Sequence, residues 1–268
     1  MANHRNDYED ELLRQLRRLF PRWVKNVTVL ADRGFGDVEL YEMLKRELGF
    51  DFVIRFRRAI AIETADGEVG PASGFVPSNG RARRLSDVKI THERVLVSAV
   101  VLIKARAIKE PWVLATSRPE DAKKIAALYG RRFTIEENFR DEKDRRFGLG
   151  LLEVRIARTD RRDRMLQVLA LATALLTLLG AAGESLGLDR GLRANTVKRR
   201  THSLFRQGRE YIAGAIGRLA DAARRLLESF RALVVRQPYV RSLWGNLRGC
   251  LRAAPRSSEP DYRLRFVL

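Results

Sequence analysis

Val27-Thr28-Val29-Leu30-Ala31-Asp32-Arg33-Gly34-Phe35-Gly36 is a short apolar, β-branched run that ends on an acid and a glycine turn. A run of this kind without polar alternation reads as a buried strand. A helix is expected next, from about Asp37 to Leu48, with Gly49 as its stop. Strand, turn and helix in that order place the Asp32 carboxylate at the carboxyl end of an open α/β sheet, where ligands bind. Two readings of Asp32 stay open: it serves chemistry there, or it caps the following helix. Asp37, immediately before Val38, is better placed for the cap, which leaves Asp32 without an evident structural task. The turn is no dinucleotide fingerprint, because Glu39 stands where the third glycine belongs, so nucleotide cofactors are discounted.

Upstream, Leu12, Leu13, Leu16, Leu19 and Phe20 recur at helical spacing and predict a helix over 7–20 that Pro21 ends. Downstream the pattern changes near Phe50. Residues 51–57 alternate like a strand, 59–64 repeat the period, and a Gly/Pro-rich loop follows. Val95 to Ala105 and Trp112 to Ala115 read as further strands. Helices are expected from Pro119 to Tyr129 and from Phe133 to Arg146. Asp163 to Leu179 is apolar nearly all round and is expected at the centre of a core. Basic helices are expected over 194–207 and 209–235, and a loop over 255–260.

A formal net charge of +19 calls for a polyanionic partner: DNA, RNA or anionic membrane. An Arg-rich proteome from GC-rich coding would also raise this charge. His4, His92 and His202 lie far apart and Cys250 is the single cysteine, so neither zinc spacing nor an internal disulfide is offered. A reducing cytoplasm suits such a chain. Residues 1–20 are too charged for a signal peptide, and the longest apolar run, Met165 to Leu179, is too short to span a bilayer.

The second informative stretch is Tyr129 to Lys143. Counting from Glu136, Arg132 lies at −4, Tyr129 at −7, Arg140 at +4 and Lys143 at +7. If one helical period runs through, all five share a stripe, and Ile135 and Phe139 form an apolar pair on a neighbouring stripe that docks the helix. A carboxylate among Tyr, two Arg and Lys suits a metal-binding acid beside groups that hold a phosphate backbone. A solvated face with ordinary ion pairs fits the same spacing.

Tyr129, Arg132, Glu136 and Lys143 reproduce the Y-(2)-R-(3)-E-(6)-K signature, and the chain thereby resembles the IS4-type DDE transposases, the Tn5-like class. Four fixed residues would match by chance in a chain this long on the order of once in a thousand, and the Arg excess raises that a few-fold. Ala31-Asp32-Arg33-Gly34-Phe35 resembles the family's segment around its second acid. Phe52 to Arg55 resembles the strand after it, and Pro111 to Thr116 the strand before the signature helices. The resemblance runs from about residue 5 to 210. It implies an α/β, RNase H-like catalytic core over 1–50 and 112–180, a β-rich insertion over 51–111 and a basic helical C-terminal region over 181–268. It further implies metal-dependent cleavage at transposon ends and strand transfer, with two Mg²⁺ ions held by Asp32 and Glu136. Tyr129, Arg132, Lys143 and Arg140, with Arg55 and Trp112 on the two matching strands, would contact DNA. The implied partners are transposon-end and target DNA and a second copy on paired ends, with no membrane, in a nucleoid-associated cytoplasmic setting.

The family also needs an acid on the first strand of its sheet, and only a helix precedes Val27 here. Asp7 and Asp10 lie on that helix and are poor substitutes. The expectation is an N-terminally truncated enzyme, inactive in isolation, with sheet edges left unpaired. A non-catalytic DNA-binding remnant is the alternative. A basic RNA-binding helical protein is the third reading, and it leaves Asp32 and Glu136 without a use.

Overall fold

The apolar run at Val27 forms strand β1 (Asn26–Ala31), with every residue after Asn26 buried. The computed structural model describes residues 4–21, 24–105, 109–146, 148–215, 220–237 and 263–267. The chain divides into two compact units, one of Met1–Phe133 with Ser258–Leu268 and one of Thr134–Ser257.

In the first unit β1 pairs in parallel with β2 (Asp51–Arg55). Parallel neighbours need a crossover. It consists of a 3₁₀ turn (Arg33–Phe35), helix α2 (Val38–Glu42) and a π-helical turn (Met43–Glu47). Asp37 caps α2 by accepting from the Glu39 N–H, as its position predicts. Gly49, at φ +64°, supplies the left-handed stop. Strands β3 (Ala61–Glu63), β4 (Val69–Pro71), β5 (Arg83–Ile90), β6 (Val95–Ile103) and β7 (Trp112–Thr116) complete the order β4-β3-β5-β6-β7-β2-β1-β8. The strands of 51–111 therefore belong to the same sheet as β1. The outer edge of β1, expected to be bare, is paired in parallel by β8 (Arg263–Val267).

Side chains alternate across this sheet with the period of two. Val29, Ala31, Phe52 and Ile54 join one core with Leu13 of helix α1 (His4–Leu19) and Tyr41 and Leu44 of the crossover. Leu30, Val53, Val101 and Leu114 face the other way, onto Ile125 and Tyr129 of helix α3 (Ala122–Gly130). Each such buried aliphatic side chain is worth about 1.5–3 kcal/mol relative to exposure. At the amino end of β2, Arg118 is buried and ion-paired with Glu120 and Asp51.

The second unit holds helices α4 (Thr134–Lys143), α5 (Thr159–Ser185), α6 (Leu204–Ala215) and α7 (Ala220–Arg236). The crossing of α5 and α6 is set by glycine. A Cβ on Gly180 would lie 1.9 Å from the Leu204 carbonyl oxygen, and one on Gly208 2.0 Å from that of Leu176. Only hydrogen side chains let the two backbones approach so closely.

Several expectations are corrected here. The helix expected over 194–207 begins only at Leu204, since Leu188–Leu192 is a 3₁₀ turn and Ala194–Ser203 is irregular. Of the helix expected over 209–235, residues 209–215 lie on α6 and 220–235 on α7, and the loop expected over 255–260 lies outside the described residues. Helix α5 was expected at the centre of a core, yet Leu166, Val168, Leu171 and Leu175 are exposed, and its buried positions gather at the α6 crossing. Nor is α5 too short for a bilayer. Among the described residues it is the one helix long and apolar enough to cross a membrane, by length and composition alone. The sequence estimate counted an uninterrupted apolar run, whereas the helix continues through flanking residues to 27 in all.

Candidate active site

Parallel β1 and β2 bring their carboxyl ends together, and antiparallel β7 starts at that same end. Asp32, Arg55 and Trp112 are thus gathered at one edge of the sheet by topology alone. Gly36 sits against the end of β2, where an added Cβ would meet Phe56 Cβ at 3.2 Å. The close approach packs the turn after Asp32 against the end of β2.

Asp32 does have a structural task, contrary to the sequence reading. Its Oδ1 accepts from the Gly34 N–H at 2.9 Å and caps the 3₁₀ turn. Asp37 caps a different helix, so the two acids do not compete. The cap engages Oδ1, while Oδ2 lies 3.8 Å from Nη1 of Arg132. The Asp32 side chain is 43% exposed, so it remains accessible while held.

Arg132 arrives through a break in the expected stripe. The α-helical ladder of α3 gives way to a 3₁₀ turn (Arg131–Phe133) before α4 begins. One period of 3.6 therefore does not run from Tyr129 to Lys143. Tyr129 and Arg132 belong to the sheet unit, whereas Glu136, Arg140 and Lys143 lie on α4 in the other.

Around Arg132 the packing is aromatic. Its guanidinium carbon lies 4.8 Å from the Phe133 ring centre and 5.9 Å from that of Tyr129. Trp112 meets Tyr129 edge-to-face at 4.9 Å and stacks near Phe133 at 6.0 Å. Such contacts fix a guanidinium plane at modest energy, about 0.5–2 kcal/mol each. Tyr129 is only 1% exposed, and its hydroxyl is buried beside Arg132. Burial pushes the Tyr129 phenol up, and the positive charges of Arg132 and Arg55 partly offset this.

A further ion cluster rims the same edge. Arg55 Nη2 donates to Glu110 Oε2 at 3.0 Å and reaches the Pro111 carbonyl at 3.5 Å. Arg33 Nη1 lies 3.6 Å from the same Glu110 oxygen. Sequence reasoning missed Arg33, Glu110 and Phe133. Arg33 adjoins Asp32 and could have been marked for that reason. Glu110 precedes β7 in an irregular stretch, where no periodicity singles it out.

On α4 no residue is buried, so Ile135 and Phe139 do not dock the helix by burial as expected. Lys143 Nζ lies 5.1 Å from the Phe139 ring centre. Glu136, Arg140 and Lys143 share a face of α4 by spacing, and all three are exposed.

Residues 2–175 match the family model described as Transposase DDE domain. The chain belongs to the transposase DDE domain family. No curated protein matches it. Its mixed α/β sheet with flanking helices is compatible with an RNase H-like transposase domain. DDE transposases are nucleases and DNA-joining enzymes that generally use divalent metals. Among the described residues of this family member, no group of three or more His, Cys, Asp or Glu is placed to hold a metal ion. Asp32 instead caps the 3₁₀ turn and faces Arg132.

Proposed function

We propose that the chain is the catalytic core of an IS4-class, Tn5-like transposase that binds transposon-end and target DNA beside the nucleoid. The carrying observation is the approach of Asp32 to Arg132. These residues come from two motifs read separately and far apart in sequence, yet they lie 3.8 Å apart at one sheet edge. In this reading Asp32 and Glu136 are two of the three acids of the DDE set. Arg132, Arg55, Arg140 and Lys143 hold phosphates. Tyr129 packs against Arg132 and Trp112 buttresses Tyr129, because a phenol this buried positions its neighbour rather than touching the backbone of DNA. The reaction is phosphodiester cleavage at an element end followed by joining to target DNA.

Duplex binding with a steep salt dependence is expected, each neutralised phosphate adding about 0.9 to the log–log slope. Arg132→Ala should lower affinity and slope together. Tyr129→Phe should keep both, because the buried hydroxyl does not reach DNA. Binding that ignores salt, or a Tyr129→Phe loss as deep as that of Arg132→Ala, would overturn these roles.

A second reading is a DNA-binding remnant without catalysis, favoured by the engagement of the Asp32 carboxylate, with Oδ1 held by the Gly34 N–H and Oδ2 near Arg132. Mg²⁺-dependent nicking of duplex DNA separates the two. Nicking that Glu136→Gln abolishes supports the enzyme, and binding without nicking supports the remnant.

A further inference from the structure

Glu110 has an unusual position for a surface acid. One of its oxygens serves two guanidinium groups, Arg55 at 3.0 Å and Arg33 at 3.6 Å. Arg33 directly follows Asp32, and Arg55 closes the neighbouring parallel strand. The shared oxygen therefore lies at the sheet edge that carries the candidate active site. Two guanidinium groups converging on one anionic oxygen also offer what a phosphate oxygen takes from arginine. The Arg55 stem is mostly buried, and its second contact is a carbonyl, so its position does not depend on Glu110 alone. The Glu110 side chain is 54% exposed and lies in an irregular stretch. An exposed pair of this kind stabilises a fold little, so structure alone gives weak reason for it.

We propose that Arg33 and Arg55 form a clamp for one phosphate of the DNA backbone, and that Glu110 occupies the clamp in the free protein. The inference rests on the DNA-processing reading above. Binding is then an exchange of anions. The phosphate displaces the Glu110 carboxylate, which swings into solvent, and no covalent bond changes. The placeholder keeps two like charges from repelling beside Asp32 when DNA is absent. It also weakens every DNA contact by the cost of its own displacement.

The test measures affinity of the whole chain for a random-sequence duplex across a salt series. Glu110→Gln should tighten binding by about fivefold, the worth of an exposed ion pair released. The log–log salt slope should stay nearly the same, because the clamp neutralises the same phosphate in both proteins. Its melting temperature should not move. Asp66→Asn, an exposed acid on the β3–β4 hairpin, controls for the loss of one negative charge and should change affinity less than twofold. In an Arg33→Ala/Arg55→Ala background, Glu110→Gln should gain nothing, because the coupling is gone. A Glu110→Gln gain no larger than that of Asp66→Asn overturns the clamp, as does a gain that persists without the arginines. Wild-type protein that binds no duplex at low salt overturns the DNA-processing reading as well. Wild-type binding with an unresponsive Glu110 overturns the clamp alone.

Discussion

The sheet unit and the helical unit handle apolar sequence in opposite ways. In the sheet unit, Leu30, Val53 and Leu114 are each fully enclosed, because every central strand has neighbours and helices lie over both faces. In the helical unit, α5 is apolar over most of its middle, Met165 to Leu179, yet Val168 and Leu171 are 67% and 61% exposed. Among the described residues, its core cluster is Leu179, Ala182, Tyr211 and Leu226, around the α6 and α7 contacts. Apolar composition states a demand for cover. Only partner elements meet it, and α6 and α7 meet it for one end of α5.

The largest effect that would break this contrast is a pair of truncations. Leu114→Ala should cost about 2–5 kcal/mol, as deletions in closed cores do. Leu171→Ala should cost under about 0.5 kcal/mol. Urea denaturation of both variants measures the gap, and equal costs would mean that α5 is covered in solution. Next in size is Gly208→Ala. Its methyl would strike the Leu176 carbonyl, so α6 must shift, at about 1–3 kcal/mol. A thermal melt of this variant sharpens the comparison by asking whether the second unit melts on its own. A neutral result would show the crossing to be loose.

The smallest expected effect concerns Asp121, the N-cap of α3. The backbone N–H of Lys124 holds its carboxyl below the usual range. A group whose folded pKa is depressed contributes fully above its unfolded value and loses that contribution as pH falls through the folded one. Asp121→Asn should therefore lower the melting temperature slightly at neutral pH. The difference from wild type should shrink as pH falls through the depressed folded-state value, where the Asp121 carboxyl is protonated as well. A difference that persists there would assign the cap a role independent of charge.

Legibility followed the same division. Strands β1 and β7 could be read because their apolar runs are short and buried on both faces, and β6 because its run is apolar but for Ser98 and buried from Ala99 to Leu102. Strand β5 could not, since Arg83, Arg84, Ser86 and Asp87 carry no alternation and the strand is held by residue-by-residue pairing with β6. Asp32 was visible as an acid after a buried strand. Its cap on Gly34 was not, because a 3₁₀ turn leaves no composition signal. The same holds for Arg131–Phe133, which lacks glycine and proline yet interrupts the helix between Tyr129 and Glu136. Helix α5 was legible as a helix. Its exposure was not, because hydropathy reports preference rather than surroundings.

The pairing of β8 with β1 has a consequence for synthesis. Asn26 to Leu30 pair with Arg263 to Val267, partners separated by most of the chain. On the ribosome, β1 and Asp32 emerge early, and β2 can pair with one side of β1 soon afterwards. The other side must wait, with open N–H and C=O groups, until residues 263–267 have left the exit tunnel. Closing so long a loop is slow, and a bare strand edge recruits strands from other chains meanwhile. The strand that presents the candidate catalytic aspartate is thus the one most in need of chaperone protection during translation, and expression at lower temperature should raise the soluble yield.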